Sequence, residues 1–463
     1  MNEIELNQEM VNLIKKLFKI GGNKIPKTPY SVERDDFGEI VRVNVDLIDD
    51  LTTVPGVKIA YPTTPDPDQP EKHHVVISNM KDLNDDGNIH VFRALIDKPY
   101  TRVAFFDSTG RQVWISEKIE AGGDDESGMQ VVDIDDDGKY EIILSQWAAL
   151  YCMDAHTGAV KWMRELEKGG HAGPGGWDCP MVVGHFTSTN TLSIIVRSGL
   201  HIRCFDGKGK EVWHQQLTGD ETYGHCLCRY DVNGDGFDEI FSARNKMVDV
   251  FTVDGTLLWQ DGSQLKHSDN FAFGDIDGDG ECEVVYDHDG CGGKGPLHVV
   301  NSLTGELKYT IKYSGAGLRH CQGFTMDKFC PDLPGLQIAV VGKDNRLLLF
   351  GHNGALLWQH RIPTGLVTRA DWNGDGNPEI AVFAVGYKLD PAWSVWNGKG
   401  ERLFAMSFLP TAKHCRSHAS MCGPGLGFDG FGDLNGNGKA DILVAHGNWK
   451  TGSPQFHFIA EMP

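Results

Sequence analysis

The chain has 463 residues, of which 40% are hydrophobic and 23% charged, and its formal net charge is −21 at pH 7. These values are typical of a globular protein, and the absence of a Lys/Arg-rich run argues against a nucleic-acid partner. No stretch is long and apolar enough for a transmembrane helix, so no membrane partner is predicted either. The 56 glycines favour many tight turns over long helices.

The N-terminal residues 1–30 are predicted to be a short helical extension. In MNEIELNQEMVNLIKKLFKI the apolar residues follow a helical spacing and acidic residues come first, which is typical of one amphipathic helix rather than of a signal peptide. The 11 cysteines are an odd number without framework spacing, which favours a reducing compartment. A cytoplasmic location is therefore predicted, with secretion as the alternative if a leader once preceded this sequence.

An acidic motif recurs through the rest of the chain. Its first complete copy is Asp133-Ile-Asp-Asp-Asp-Gly, followed by Glu141. Oxygen ligands at positions 1, 3, 5 and 9, with Gly at position 6, suit a hard cation of the size of calcium. β-Branched and aromatic residues follow, as in EIILSQW and EVVYDH, so strands are predicted where an EF-hand would have a helix. We therefore predict several structural Ca²⁺ sites. Their predicted ligands are Asp133, Asp135, Asp137, Glu141, Asp231, Asn233, Asp235, Glu239, Asp275, Asp277, Asp279, Glu283, Asp371, Asn373, Asp375, Glu379, Asp433, Asn435, Asn437 and Asp441.

Eight places carry the motif once its weaker copies are included. A degenerate copy begins at Asp82, a variant with the sequence DKFCPDLPGLQI begins at Asp327, and a copy without ligands lies near His185. A hairpin pattern follows seven of these places: a strand, a turn containing Gly, and a second strand that ends in an aromatic residue such as Trp114 or Trp162. The aromatic residue is predicted to pack one unit against the next.

Each unit thus contains four strands, here called A to D, with the acidic turn between A and B. Four-stranded units in series predict an all-β fold, a β-propeller of eight blades, with seven blades as the alternative. Residues 31–463 are predicted to form this single domain. The last unit has few strands after His446, and the segment from Glu39 to Ile48 is predicted to complete it and close the ring.

The acidic turns combined with xGxxxW hairpins resemble the rhamnogalacturonan lyases built on an eight-bladed propeller. The variant DKFCPDLPGLQI and its lead-in LRHCQGFTMD are similar to the DxDPxxPGLE turn of those enzymes. The resemblance extends from Asp82 to the end of the chain and implies activity on a rhamnose- and uronate-containing glycan. It assigns no site residue by position. Propeller lyases of oligogalacturonate, ulvan and rhamnose–glucuronate glycans are similar in architecture and keep the wider substrate class open.

The two faces of a propeller separate the candidate site from the acidic turns. The A–B and C–D turns lie on one face, and the B–C loops and D–A connectors lie on the other. Histidines recur in the connectors and cations in the B–C loops, a combination that would attract an anionic substrate. The predicted substrate-binding residues are His171, Arg244, Lys246, Arg319, Lys388, His414, His418 and Trp449.

Uronide cleavage by β-elimination fits these residue types. The reaction removes the proton next to a carboxylate, which requires a base of near-neutral pKa and a cation that neutralises the developing charge. Arg319 or Lys388 is the predicted cation. The predicted catalytic residues are three candidate bases and one acid, namely His225, His267, His320 and Tyr387. Alternatively, the convergent imidazoles hold Mn²⁺ or Zn²⁺, which would bind the carboxylate.

The sequence thus predicts a polysaccharide or oligosaccharide lyase whose partner is an anionic glycan. Two other classes stay open. One is a non-catalytic, calcium-stabilised propeller that binds carbohydrate or protein. The other is a glycoside hydrolase on the same scaffold, which would need two carboxyl groups flanking the scissile bond.

Overall fold

The computed structural model of the protein describes residues 31–34, 40–44, 57–62, 74–84, 89–97, 100–107, 112–120, 128–146, 149–167, 180–219, 226–244, 247–262, 268, 270–287, 296–313, 321–342, 346–362, 366–371, 375–383, 392–407, 431–432, 441–446 and 456–461. Within these ranges all of the regular secondary structure is β-strand, which confirms the all-β prediction. The helix predicted for residues 1–30 lies outside them. The same ranges contain no helix long and apolar enough to cross a membrane.

Two strands form a separate hairpin, β1 (Ser31–Arg34) and β2 (Ile40–Asn44). The remaining strands form sheets and are, in chain order, β3 (Val57–Pro62), β4 (His74–Asp82), β5 (Ile89–Asp97), β6 (Tyr100–Phe106), β7 (Gln112–Ile115), β8 (Ile119–Glu120), β9 (Met129–Val132), β10 (Glu141–Gln146), β11 (Ala149–Asp154), β12 (Val160–Glu165), β13 (Met181–Gly184), β14 (Ser193–Ser198), β15 (His201–Asp206), β16 (Glu211–Gln216), β17 (Cys226–Tyr230), β18 (Glu239–Arg244), β19 (Met247–Phe251), β20 (Leu257–Asp261), β21 (Phe271–Gly274), β22 (Glu283–Asp287), β23 (Leu297–Asn301), β24 (Leu307–Ile311), β25 (Cys321–Asp327), β26 (Gln337–Gly342), β27 (Arg346–Phe350), β28 (Leu356–Arg361), β29 (Leu366–Ala370), β30 (Glu379–Phe383), β31 (Ala392–Trp396), β32 (Arg402–Ser407), β33 (Phe431–Gly432), β34 (Asp441–His446) and β35 (Phe456–Glu461).

The other eight sheets are antiparallel blades, and in blades 1 to 7 consecutive strands pair with each other. Blade 1 contains β4–β7, with β8 paired to β6 as a fifth strand. Blades 2 to 7 contain four strands each, from β9–β12 to β29–β32, and blade 8 combines β33–β35 with β3. The first strands of neighbouring blades contact each other, as in β4 with β9, β13 with β17 and β25 with β29. Eight sheets arranged in series through their inner strands form a β-propeller, as predicted.

Blade 8 takes its outer strand from near the N-terminus. Its order is β3-β35-β34-β33, and Ala60 of β3 lies opposite Phe458 of β35. The predicted closure is present, but the predicted segment, Glu39 to Ile48, is wrong. Its described residues form β2, which pairs with β1 and contacts β32. Because β1 is close in sequence, it satisfies the hydrogen bonds of β2 locally, and the next strand along the chain fills blade 8.

The apolar core lies between blades as well as within them. The second strands of the blades, such as β14 and β26, are buried along their whole length, whereas the outer strand β16 is mostly exposed. One cluster packs Ile143 and Cys152 of blade 2 against Val183 and Ile194 of blade 3. Neighbouring blades therefore depend on each other to remove apolar surface from water.

In blades 1 to 6 the aromatic residue at the end of the hairpin packs against the next blade, as predicted. Trp213 Nε1 of blade 3 donates a hydrogen bond to Val253 O of blade 4 at 2.8 Å. Trp259 Nε1 of blade 4 donates in the same way to Ser302 O of blade 5 at 2.9 Å. A Cβ atom added to Gly305, in that turn of blade 5, would lie only 2.7 Å from the Trp259 ring. The close approach of ring and backbone therefore requires glycine at this position.

Candidate functional site

The carboxylates of the acidic turn in blade 2 organise its backbone. Asp133 Oδ1 accepts a hydrogen bond from Asp137 N at 3.1 Å, and Oδ2 accepts one from Gly138 N at 2.9 Å. Glu141, at position 9, is fully buried, and its Oε2 accepts a hydrogen bond from Ile134 N at 3.1 Å. The predicted ligands of this turn are thus brought together around one centre.

A lysine ammonium lies at that centre. Lys161 Nζ is 2.9 Å from Asp135 Oδ2, 2.8 Å from Glu141 Oε1 and 3.9 Å from Asp137 Oδ2. Burial alone would lower the pKa of Lys161, but its hydrogen bonds to Glu141 and Asp135 outweigh burial and raise that pKa above the usual value. Burial raises the pKa of Glu141, and the nearby ammonium acts against this shift. Lys161 is therefore charged at neutral pH and occupies the place expected for calcium.

The acidic turn of blade 5 has the same arrangement. Lys308 Nζ lies 2.6 Å from Asp279 Oδ2, 2.6 Å from Glu283 Oε1 and 3.4 Å from Asp277 Oδ2. The other carboxylate oxygen of Glu283 accepts a hydrogen bond from Ile276 N at 2.9 Å. Glu283 thus uses one oxygen to hold the backbone of the turn and the other to contact the cation.

Both lysines stand at a β-bulge between the C and D strands. The pairing register shifts just before the aromatic residue, so that Lys161 precedes Trp162 and Lys308 precedes Tyr309 without a partner opposite. A bulge redirects the side chain of the extra residue, and here the ammonium reaches the acidic turn of the same blade. In blade 4 the equivalent bulge residue is Leu258, which has no charge.

The turn of blade 4 therefore has the acidic ligands without an ammonium from the bulge. Asp231 accepts hydrogen bonds from several N–H groups of the turn, and Asp235 Oδ1 accepts one at 2.8 Å. Glu239 is buried, its Oε2 accepts a hydrogen bond from Val232 N at 3.1 Å, and its Oε1 is 3.4 Å from Asn233 Nδ2. Burial raises the pKa of Glu239, a shift that a bound cation would oppose.

The remaining copies are described in part. In blade 7, Asp371 Oδ2 accepts a hydrogen bond from Gly376 N at 2.9 Å and Glu379 is buried, while Leu403 precedes the aromatic residue of the hairpin. Asp441 begins β34 in blade 8. Four predicted ligands lie outside the described residues, namely Asn373, Asp433, Asn435 and Asn437.

Position 9 also organises the turns that lack acidic ligands. In blade 3, Ser193 Oγ accepts a hydrogen bond from Phe186 N at 3.3 Å, and in blade 1, His90 Nδ1 accepts one from Leu83 N at 3.5 Å. In the variant turn of blade 6 the equivalent place at the start of strand B is taken by Gln337, position 11 counted from Asp327, whose Oε1 accepts a hydrogen bond from Cys330 N at 2.7 Å. The side chain at position 9 therefore anchors the A–B turn whether or not the turn has the residues to hold a cation.

Of the residues predicted to contact or cleave a substrate, Arg244 lies in the described part of the chain. It is buried, its Nε is 2.7 Å from Asp249 Oδ2, its NH2 is 3.0 Å from Asp249 Oδ1, and its NH1 donates to Thr218 O at 2.8 Å. This placement favours a structural role over the predicted contact with substrate. The other predicted residues lie outside the described part, namely His171, His225, Lys246, His267, Arg319, His320, Tyr387, Lys388, His414, His418 and Trp449.

Two groups of residues at these sites were not predicted from the sequence. Lys161 and Lys308 are detectable, because they are lysines directly before the hairpin aromatic, where other blades have Leu or Val. The second group is Glu167, His201 and His214, whose potential ligand atoms lie within 4.8 Å of one another. No motif identifies this group, because its members come together only when blades 2 and 3 pack.

Comparison with known proteins supports the fold. A family model described as outer membrane protein assembly factor BamB matches residues 100–280, whereas no curated protein matches the chain. The crystal structure of the biofilm matrix protein Bap1 from V. cholerae is similar, with a TM-score of 0.58 and 12% identity over 88% of this chain and 91% of that chain. The protein is a β-propeller.

Two further structures are similar at lower scores. BamB from Moraxella catarrhalis has 13% identity over 83% of this chain and 99% of its own, with a TM-score of 0.47. The Dos1 propeller has 9% identity over 77% of this chain and 88% of its own, also with a TM-score of 0.47. At the 12% identity of Bap1 the likeness concerns the fold alone. None of these likenesses shows a relation to the rhamnogalacturonan lyases.

Proposed function

We propose that the protein is a non-catalytic, cation-stabilised binding propeller whose ligand is an anionic oligosaccharide or polysaccharide. The observation that carries this proposal is that the carboxylates of the acidic turns bind the backbone of their own turn and, in blades 2 and 5, a lysine ammonium. The acidic face then has a structural role, which leaves the face of the B–C loops and D–A connectors for a ligand. Bap1, whose fold is similar, is a biofilm matrix protein by its description, and we propose a binding role for this chain on the same kind of scaffold.

The cation is proposed to differ between blades. In blades 2 and 5, Lys161 and Lys308 neutralise the turn with an ammonium. In blades 4 and 7 the bulge residue is Leu258 or Leu403, so calcium is proposed to supply the positive charge. The residue types fit calcium, because aspartate, asparagine and glutamate at positions 1, 3, 5 and 9 offer oxygen donors and the position 9 glutamate of both blades is buried. Calcium would then stabilise the folded state by mass action.

A matched pair of variants tests this division. After removal of divalent ions with a chelator, calcium binding is measured by isothermal titration calorimetry. We expect Glu239→Gln to lower the number of bound calcium ions by one, because it removes a ligand from a turn without a lysine. Glu283→Gln is expected to leave that number unchanged, because Lys308 already occupies its turn. Lys308→Ala is expected to raise it by one, and an equal loss in Glu239→Gln and Glu283→Gln would contradict the proposal.

Ligand binding is tested with rhamnogalacturonan, ulvan and their oligosaccharides, against a neutral glycan of similar length. We expect the acidic glycans to bind and the neutral glycan not to bind, with affinity falling as salt rises, because charge screening weakens the attraction. Equal binding of neutral and acidic glycans would oppose an anionic ligand. The predicted cytoplasmic location would restrict the ligand to short imported oligosaccharides, and cell fractionation tests that location.

A lyase acting on the same glycans is the second candidate. The recurrence of histidine in the connectors and the resemblance of DKFCPDLPGLQI to a lyase turn favour it. In this reading His225, His267 or His320 is the base and Tyr387 the acid. Growth of absorbance from a 4,5-unsaturated uronate would establish elimination, and new reducing ends without that absorbance would indicate hydrolysis. Single replacement of the three histidines by alanine should then abolish elimination in at least one folded variant.

A further inference from the structure

Two histidines and a glutamate converge where blade 2 meets blade 3. His201 begins β15, His214 lies in the neighbouring strand β16, and Glu167 follows β12 at the end of blade 2. His201 Nδ1 and His214 Nε2 are 2.8 Å apart. His201 stands at a B–C loop and Glu167 at a D–A connector, so the cluster belongs to the face opposite the acidic turns.

The two oxygens of the Glu167 carboxylate have different surroundings. Its Oε1 forms an ion pair with Arg203, which also contacts Glu211 Oε2 at 3.1 Å. Its Oε2 is buried and has no hydrogen-bond partner. Buried acceptors are nearly always satisfied, so this oxygen calls for a ligand. Arg203 meanwhile fixes the orientation of the carboxylate, as outer partners do for metal-binding side chains.

We propose that Glu167, His201 and His214 bind a transition-metal ion of the zinc class and thereby join blade 2 to blade 3. Neutral imidazole nitrogens favour zinc and its neighbours, whereas calcium prefers oxygen ligands only. The carboxylate oxygen completes a set of three protein ligands. The fourth position of a tetrahedral zinc ion then stays open to water or to the carboxylate of an acidic ligand.

The geometry needs only small adjustments to receive the ion. Ligand atoms on a tetrahedral zinc ion lie about 3.4 Å apart when the metal bonds are about 2.0–2.1 Å long. The two imidazole nitrogens must therefore move apart by roughly half an ångström. The carboxylate oxygen, which now lies within 4.8 Å of them, must move closer. Rotation of side chains suffices for both, since His214 is exposed and the other two are partly exposed.

A hydrogen bond between the two imidazoles would explain their 2.8 Å separation without a metal. It would not explain why Glu167, the third member of the group, has a buried Oε2 without a hydrogen-bond partner. A metal ion accounts for both observations, because the same ion would contact the two ring nitrogens and that oxygen. This difference decides in favour of the metal site.

The test uses the full chain, stripped of metal with a chelator and then saturated with calcium. ZnCl₂ is titrated by calorimetry, and Co²⁺ is added separately, because its visible absorption reports tetrahedral coordination. We expect one tight zinc ion per chain that calcium does not displace. His214→Ala, His201→Gln and Glu167→Gln should each weaken zinc binding by at least about tenfold and remove the tetrahedral cobalt spectrum. His156→Ala, at an exposed histidine in a turn of blade 2, is the matched control and should bind like the wild type.

Circular dichroism establishes that each variant is folded before its affinity is compared. Equal zinc affinity in the wild type and in folded His214→Ala would overturn the proposal, as would displacement of zinc by calcium, which would place the ion in an acidic turn. An absence of zinc binding in the wild type would overturn it too. The calcium and glycan tests of the proposed function are independent of all these results.

Discussion

Arg244 shows at the scale of one residue how burial changes the role that a sequence position implies. Because Arg244 stands at the start of a B–C loop, the sequence predicted that its guanidinium is exposed and contacts an anionic ligand. In the fold both Arg244 and Asp249 are buried, and their two hydrogen bonds are joined by one from Gln260 Nε2 to Asp249 Oδ1 at 2.6 Å. Removing either partner would leave a charge buried without compensation.

We therefore expect Asp249→Ala to lower the free energy of unfolding by about 3–5 kcal/mol, because the Arg244 charge would remain in a poorly solvated place. Urea unfolding measures the change. Glu211→Ala is the control, since Glu211 is an exposed partner of Arg203 and should cost at most about 1 kcal/mol. Similar costs in the two variants would show that the Arg244–Asp249 pair is not effectively buried.

The hairpin between strands C and D is the element that connects one blade to the next. The indole nitrogens of four hairpin tryptophans donate to a carbonyl in the following hairpin, namely those of Trp162, Trp213, Trp259 and Trp358. The turn glycine above the ring has positive φ, for example +71° at Gly305. Glycine is thus needed both for its backbone conformation and for the absence of a Cβ atom.

Two glycine variants separate these two requirements. Gly138→Ala affects a residue at φ +81° with open space around its Cβ, so it should cost only the backbone strain of about 1–2 kcal/mol. Gly305→Ala adds the overlap with Trp259 and should cost about 1–3 kcal/mol more. Both costs are measured by denaturant unfolding. If the two costs are equal, the contact between ring and turn is not close enough to matter.

The acidic turn could be predicted from the sequence as an element, whereas its contact with a lysine could not, and its calcium stays a prediction. The spacing of Asp133, Asp135, Asp137 and Glu141 indicated one centre, and the structure brings Asp133, Asp135 and Glu141 together there. The centre holds the ammonium of Lys161, which comes from a different hairpin of the blade. The lysine was visible before Trp162, yet only the bulge register shows that it points to the turn.

The whole molecule depends on how its ends meet. Blade 8 is built from strands β33–β35 of the C-terminal part and β3 of the N-terminal part. Neighbouring blades share their apolar core, so an incomplete blade leaves the surface of the next blade uncovered. The closing strand should therefore contribute to the stability of the whole ring rather than to one sheet alone.

Two truncations test this role of β3. Removal of residues 1–44 deletes the β1–β2 hairpin and keeps β3, so the thermal unfolding temperature should change little. Removal of residues 1–62 also deletes β3 and should lower that temperature by several degrees and broaden the transition. Differential scanning calorimetry compares them. Equal unfolding temperatures for the two truncated proteins would mean that β3 does not close the ring.

The sequence by itself determined the repeated unit. Alternating strands, glycine turns, acidic turns and hairpin aromatics are local patterns, and local patterns follow from backbone conformation and side-chain spacing. It therefore predicted the all-β propeller, its repeated four-stranded units and the position of the acidic turns, whose metal ligands stay a prediction. Only the tertiary structure decided that β3 closes the ring, that Arg244 is buried, and that Glu167, His201 and His214 meet. Those features depend on which blades pack together, and contacts between residues far apart in the chain leave no period in the sequence.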